Sequence, residues 1–212
     1  MTERKPGRPK GTQKESYKGM SERELAILFK ETRKRKDRLA ELAFKLCFHF
    51  ALRVSELVAI RLDDIFLGKE KSDLSISIQG RKHGRKRVYQ GTEIDSRLGE
   101  LVRRWVRRDR RADPANPYLF PSPRYWDRAT EPQTIKNKFK TYLHRAGLPE
   151  YYSVHSLRHS CAYHLIEKGW NLIEIRNWLR LRDLGNVQCY LDKRETQMGG
   201  RVGEDGAFGA LM

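Results

Sequence analysis

No stretch of this 212-residue chain approaches the roughly 18 consecutive apolar residues of a membrane-spanning helix, and no N-terminal apolar core marks a secretion signal. These absences lead to the expectation of a soluble intracellular protein, cytoplasmic or nucleoid-associated, with no membrane partner. Cysteine is scarce. Cys47, Cys161 and Cys189 are odd in number, widely separated and each set in an apolar pattern, which reads as buried thiols rather than a disulfide framework. Nothing matches CxxC or HExxH, so no metal site is expected. Acid is short relative to base: 27 Asp and Glu face 44 Lys and Arg, a formal charge of +17. Such a surplus suits a polyanion met at many phosphates, and nucleic acid is the first partner to expect.

Apolar residues make up 38% of the chain, enough for one sizeable core, but they are unevenly placed. Residues 1–19 carry almost none. That segment is read as a basic disordered arm, and its Lys5-Pro6-Gly7-Arg8-Pro9-Lys10-Gly11 resembles an AT-hook, which lays an Arg-Pro core into a narrow minor groove. Arg8 and Lys10 are its candidate DNA contacts. Folded structure is expected from Ser21, where Ser21-Glu22-Arg23-Glu24 forms a capping box ahead of Leu25, Leu28 and Phe29. A second helix starts near Asp37, and a third spans about Val54 to Ile60.

Beyond Asp64 the pattern changes to alternation. Leu74, Ile76 and Ile78, a basic glycine-containing turn and then Val88 predict a small antiparallel hairpin. Helices are expected again over Asp95–Arg110, Gln133–Ala146, Ser156–Lys168 and Asn171–Leu179, with a last short one holding Val187 and Tyr190. After Thr196 the chain is glycine-rich and reads as a mobile tail. The expected fold is mainly α with a small antiparallel sheet, in one domain over residues 20–195 between the arm and the 196–212 tail.

Within that domain four pieces carry chemistry. Ala51-Leu52-Arg53-Val54-Ser55-Glu56-Leu57 puts Arg53 at the head of an apolar helix, with Glu56 one turn later to orient it. Gln79-Gly80-Arg81-Lys82-His83-Gly84 places Lys82 at the hairpin tip, and Arg81, Arg85, Lys86 and Arg87 make the same turn a phosphate-tracking surface. His155-Ser156-Leu157-Arg158-His159-Ser160 sets an imidazole and a guanidinium on one helix face. Tyr190 closes the series. His49, His144, His159 and His164 are read as packing or solvated side chains.

This ordered set resembles the catalytic domain of the tyrosine recombinases, the phage integrase family, over roughly residues 20–195, with ALRVSEL and HSLRHS as the two most specific boxes. The resemblance implies a site-specific recombinase of mobile elements, acting in integration, excision or inversion without metal, ATP or any other cofactor. Arg53 and Arg158 would neutralise the phosphodiester, Tyr190 would attack it to leave a 3′-phosphotyrosyl link, and Lys82 would protonate the leaving 5′-oxygen. His155 would bond the phosphate or move the tyrosine proton. The partner would be double-stranded DNA and the working assembly a homo-oligomer, a tetramer on paired sites and a monomer or dimer in isolation. Two other readings stay open: a type IB topoisomerase, and a non-catalytic DNA-binding homologue that regulates recombination.

Two departures from the family pattern stand out. Many members carry Leu-Gly-His nine residues before the tyrosine, whereas that histidine position here is Leu181, within Trp178-Leu179-Arg180-Leu181-Arg182. Either Arg180, Arg182 or Trp178 substitutes after a small register change or that contact is absent, and His155 is left as the only imidazole at the phosphate. The other departure is the short lead-in before the first helix, where most members have a separate core-binding domain. That layout looks like the short recombinases that invert promoter segments, and the basic arm is expected to replace part of the missing clamp.

Overall fold

The structure, a computed structural model, describes residues 19–70, 73–80, 86–110 and 114–185, together with Val187 and Tyr190. The arm, the Lys82 turn, Cys189 and the tail therefore lie outside the described residues. Among those described, helices α1 (Glu22–Lys34), α2 (Arg38–His49) and α3 (Val54–Val58) lead into strands β1 (Ile65–Leu67), β2 (Leu74–Gln79) and β3 (Lys86–Gln90). Helices α4 (Ser96–Arg104), α5 (Pro132–Arg145), α6 (Val154–Glu167) and α7 (Leu172–Trp178) follow.

The first helix starts where the capping box predicts. Ser21 N–H donates to Glu24 Oε2 at 2.8 Å and Glu24 N–H donates back to Ser21 Oγ at 3.3 Å. Asp37 caps α2 by accepting from the Ala40 N–H at 3.1 Å, and its other oxygen accepts from Lys138 Nζ at 2.6 Å and the Tyr142 hydroxyl at 3.1 Å. One carboxylate thus starts α2 and clamps α5 against it.

Helix α2 is the centre of the molecule because almost every face of it is apolar. Leu42, Ala43, Phe44, Leu46 and Cys47 are fully buried, and α1, α4, α5 and α6 all pack around it. Phe44 meets the Phe139 ring edge-on at 5.2 Å, an arrangement that aromatic quadrupoles favour. Cys47 and Cys161 are buried free thiols, as expected, and burial pushes both pKa values up.

The hairpin forms, with Ser77 opposite Val88 and Gln79 opposite Lys86, but it belongs to a three-stranded antiparallel sheet. The added strand is β1, whose Ile65 pairs with Ile76. The predicted single helix over 95–110 is also different: α4 ends at Arg104 and a π-helical turn covers Trp105–Asp109, closed by Arg110 N–H to Trp105 O at 2.8 Å. The wider turn lets the Trp105 indole stay buried and donate to Leu119 O at 2.8 Å, while Arg110 Nε donates to Tyr118 O at 2.9 Å. A loop contact has overridden helical periodicity.

Candidate active site

Three elements converge on one place: the α2–α3 junction, the start of α6, and the segment after α7. Arg53 is the N-cap of α3, with its backbone N–H on Glu56 Oε2 at 3.0 Å and its guanidinium on Glu56 Oε1 at 2.9 Å. The orientation read from the sequence is therefore present, and 42% of the Arg53 side chain remains open to solvent. Arg158 is the opposite case. It is 2% exposed, and its fork donates to Ala51 O and, at 2.7 Å, to Leu179 O. Burial, and then the charges of Arg53 and Arg180, lower its pKa to about 10, so it is still a cation at neutral pH.

His155 lies on the open side of α6, beside these two arginines. Partial burial and the charges of Arg158 and Arg53 hold its pKa below 6.5, against a weaker upward pull from Glu56. The free site thus keeps His155 neutral at pH 7, ready to accept a proton or to gain one as an anion arrives.

Tyr190 sits against the same helix. It is 6% exposed, and its hydroxyl shares a hydrogen bond of 3.0 Å with Nδ1 of His159, a residue itself 5% exposed. With the His159 proton on Nε2 the tyrosine donates, and Nδ1 becomes a base poised on the phenol; with the proton on Nδ1 the imidazole donates instead. The sequence reads His159 only as a packing or solvated side chain. Its ring also meets the His155 ring edge-on at 4.6 Å, so the site contains two imidazoles in contact rather than one. The signal for this was the i, i+4 spacing of the two histidines, which places them on one helix face.

The segment expected to replace the missing histidine divides into separate tasks. Leu181 is half-buried against the core. Trp178 donates its indole N–H to His49 O at 2.8 Å, and Arg182 is exposed. Arg180 is turned inward: its guanidinium pairs with Glu56 Oε2 at 3.0 Å and donates to Phe50 O at 2.8 Å, Ala51 O at 3.3 Å and the Tyr89 hydroxyl. To do so it adopts φ +54°, a left-handed conformation that costs a non-glycine residue energy. Burial would raise the Glu56 pKa, but the Arg180 charge, the Arg53 N–H, and the charges of Arg158 and Arg53 outweigh it and hold the carboxyl below its usual value. Arg180 therefore supports Arg53 through Glu56, and Tyr89 links the same guanidinium to strand β3.

Of the basic hairpin residues, Lys86 is exposed in β3 opposite Gln79. Arg87 is engaged within the fold, on Glu93 at 2.7 Å and over the Tyr89 and Trp178 rings at 4.7 and 4.9 Å. Arg81, Lys82, Arg85, Arg8 and Lys10 fall outside the described residues. The described His, Cys, Asp and Glu side chains include one group spaced to hold an ion, Glu22, His164 and Glu167, none of which belongs to this site.

The residues just ahead of α1 dock beside Tyr190. Met20 N–H donates to Ser160 Oγ at 2.7 Å, and a Cβ added at Gly19 would lie 2.5 Å from the Tyr163 ring, which itself meets the Tyr190 ring edge-on at 5.7 Å. Gly19→Ala is expected to displace Tyr163, lower stability by about 1–3 kcal/mol and disturb Tyr190. Thermal unfolding and intrinsic tyrosine fluorescence would check it; an unchanged melting temperature would count against this close approach.

The fold is that of tyrosine recombinase catalytic domains. XerA recombinase superposes with a TM-score of 0.69 over 84% of this chain and 64% of its own, at 20% identity. XerH site-specific recombinase, in a post-cleavage complex with palindromic difH substrate, does so with 0.69 over 87% and 53%, at 19% identity. The chain belongs to the phage integrase family, whose sequence pattern matches residues 18–197. Among curated relatives, tyrosine recombinase XerD of Rickettsia bellii is 35% identical over 152 residues, covering 68% of this chain and 48% of the relative. Tyrosine recombinase XerA of Pyrococcus furiosus is 31% identical over 176 residues, 82% of this chain and 56% of the relative. The chain thus spans about half the length of these relatives.

Proposed function

We propose that this chain is a site-specific DNA recombinase that cuts and rejoins strands through a covalent Tyr190 intermediate. The observation that carries the reading is the buried Tyr190 hydroxyl held by His159, on the helix that also presents His155 and Arg158. The Tyr190 oxygen attacks phosphorus as its proton passes to the His159–His155 pair. Arg53 would bond the non-bridging oxygens directly, and Arg158, its fork on the Ala51 and Leu179 carbonyls, would add its charge from within, where charge builds in the transition state and fixed cations act most strongly. The leaving 5′-oxygen takes a proton from Lys82. The bond energy is kept in the phosphotyrosyl link, so a second 5′-hydroxyl can rejoin the strand without ATP.

Domain limits follow from the same reading: a basic DNA-binding arm over 1–19, with Arg8 and Lys10 in the minor groove, a catalytic domain over 20–195 and a tail over 196–212. Arg81, Arg85 and Lys86 would track phosphates, while Arg87 anchors the hairpin and Arg182 faces the strand. Two copies on each of two sites would give a tetramer. The protein would act at the nucleoid. Among the described residues no helix is long and apolar enough to cross a membrane.

The test is a nicked suicide duplex, from which the cut fragment diffuses away and traps the intermediate. The expected product is an SDS-resistant adduct with a free 5′-hydroxyl, absent with Tyr190→Phe. Duplex binding without an adduct on any candidate site would favour a non-catalytic homologue, and an adduct surviving Tyr190→Phe would overturn the nucleophile.

A further inference from the structure

A second basic surface lies outside this site. A groove of about 480 Å³ runs between the end of α1, the middle of α2 and the outer face of α4 with its π-helical turn. Arg33, Lys45, Arg97, Arg104, Arg107 and Arg108 line it, together with Arg103. The lining carboxylates are Glu41 and Glu100, and Glu41 is already held by Arg38 and Lys45, each at 3.0 Å. Arg33, Arg97, Arg107 and Arg108 are exposed and form no ion pair among the described residues.

We infer that this groove binds the phosphate backbone of a DNA segment other than the one at the catalytic centre. Neither Arg53, His155, Arg158 nor Tyr190 lines it. Glu41 and Lys45 lie in the middle turns of α2, whereas Arg53 follows its far end; Glu41 to His49 spans about 12 Å of helix. The charges are spaced for a strand. From Arg97 to Arg107 the chain rises about 15 Å, a length that faces about four phosphates of one strand. The π-helical turn brings Arg107 and Arg108 to the surface together, giving that end two adjacent forks suited to phosphate oxygens.

The floor favours nucleic acid over an acidic peptide. Leu101 is the one apolar residue in the lining, and it is 5% exposed, so there is no pocket for the apolar anchor that drives peptide docking. A phosphate chain needs no such anchor. A recombinase with cations on a second face would hold flanking DNA while its catalytic face holds the crossover, which goes beyond the proposed strand-transfer activity.

The test compares the full chain with the triple variant Arg97→Gln, Arg107→Gln, Arg108→Gln. The probe is a 60-base-pair duplex of mixed sequence, titrated across a series of salt concentrations. The slope of log affinity against log salt is expected to become shallower by about 2–3, and the corresponding triple lysine variant should restore it. Adduct yield per bound suicide duplex should stay at the wild-type level. A slope within 1 of wild type would overturn the inference, as would a variant that loses binding to polyglutamate while keeping its duplex slope. A wild-type chain that binds no duplex at all would instead overturn the proposed function.

Discussion

Replacing Arg180 with alanine is expected to lower the unfolding free energy by about 3–5 kcal/mol and to leave no detectable covalent adduct. The Arg180 side chain is 1% exposed and its partner Glu56 is 0% exposed, at 3.0 Å. Removing one member of a buried pair strands the other charge, which costs far more than the intact pair contributes. The Phe50 and Ala51 carbonyls and the Tyr89 hydroxyl lose a donor in the same step. The loss reaches the chemistry because Glu56 is also what aims Arg53.

The pH dependence separates this account from simple loss of packing. In the wild type the Glu56 pKa is depressed, so its contribution is present above the unfolded carboxylate value of about 4.3 and is lost only as pH falls through the lower folded value. Without Arg180 the largest downward pull is gone and the folded pKa moves up, so the variant loses less than the wild type as acid neutralises Glu56. Urea unfolding at pH 7 and pH 4.5 should show the gap between wild type and Arg180→Ala shrinking in acid. A gap that stays constant would assign the role of Arg180 to its carbonyl contacts rather than to Glu56.

The sequence made local features legible and hid those created by tertiary contact. Ser21 and Glu24 announced α1, Asp37 announced α2, and the Arg53–Glu56 spacing announced an ion pair that forms at 2.9 Å. Alternation at Leu74, Ile76 and Ile78 revealed the hairpin, but β1 is too short for a three-residue pattern to stand out. The π-helical turn follows from Trp105 reaching Leu119, a contact invisible to helical periodicity.

Arg180 shows the limit most clearly. An arginine within a cationic segment reads as a phosphate ligand, and only the fold reveals that Glu56 and two carbonyls take it inward. The same kind of contact turned His159 from a packing residue into the partner of Tyr190.

His159→Ala is expected to slow adduct formation by about 10²–10⁴-fold, the range general acid–base groups supply, with duplex affinity retained. The affinity should survive because His159 is 5% exposed and touches Tyr190 rather than the solvent-facing surface. His159→Asn should recover part of the rate, since an amide atom can occupy the Nδ1 position and hold the phenol, although it cannot take its proton. His155 is separable by pH. Its pKa is depressed by partial burial and by Arg158 and Arg53, so the free enzyme carries it neutral at pH 7 and charges it only below 6.5. If neutral His155 receives the proton relayed from Tyr190, the single-turnover rate should fall in acid, and His155→Ala should remove that limb of the profile. A His159→Ala enzyme that cleaves at the wild-type rate would make the 3.0 Å hydrogen bond a resting contact of Tyr190 rather than part of its activation.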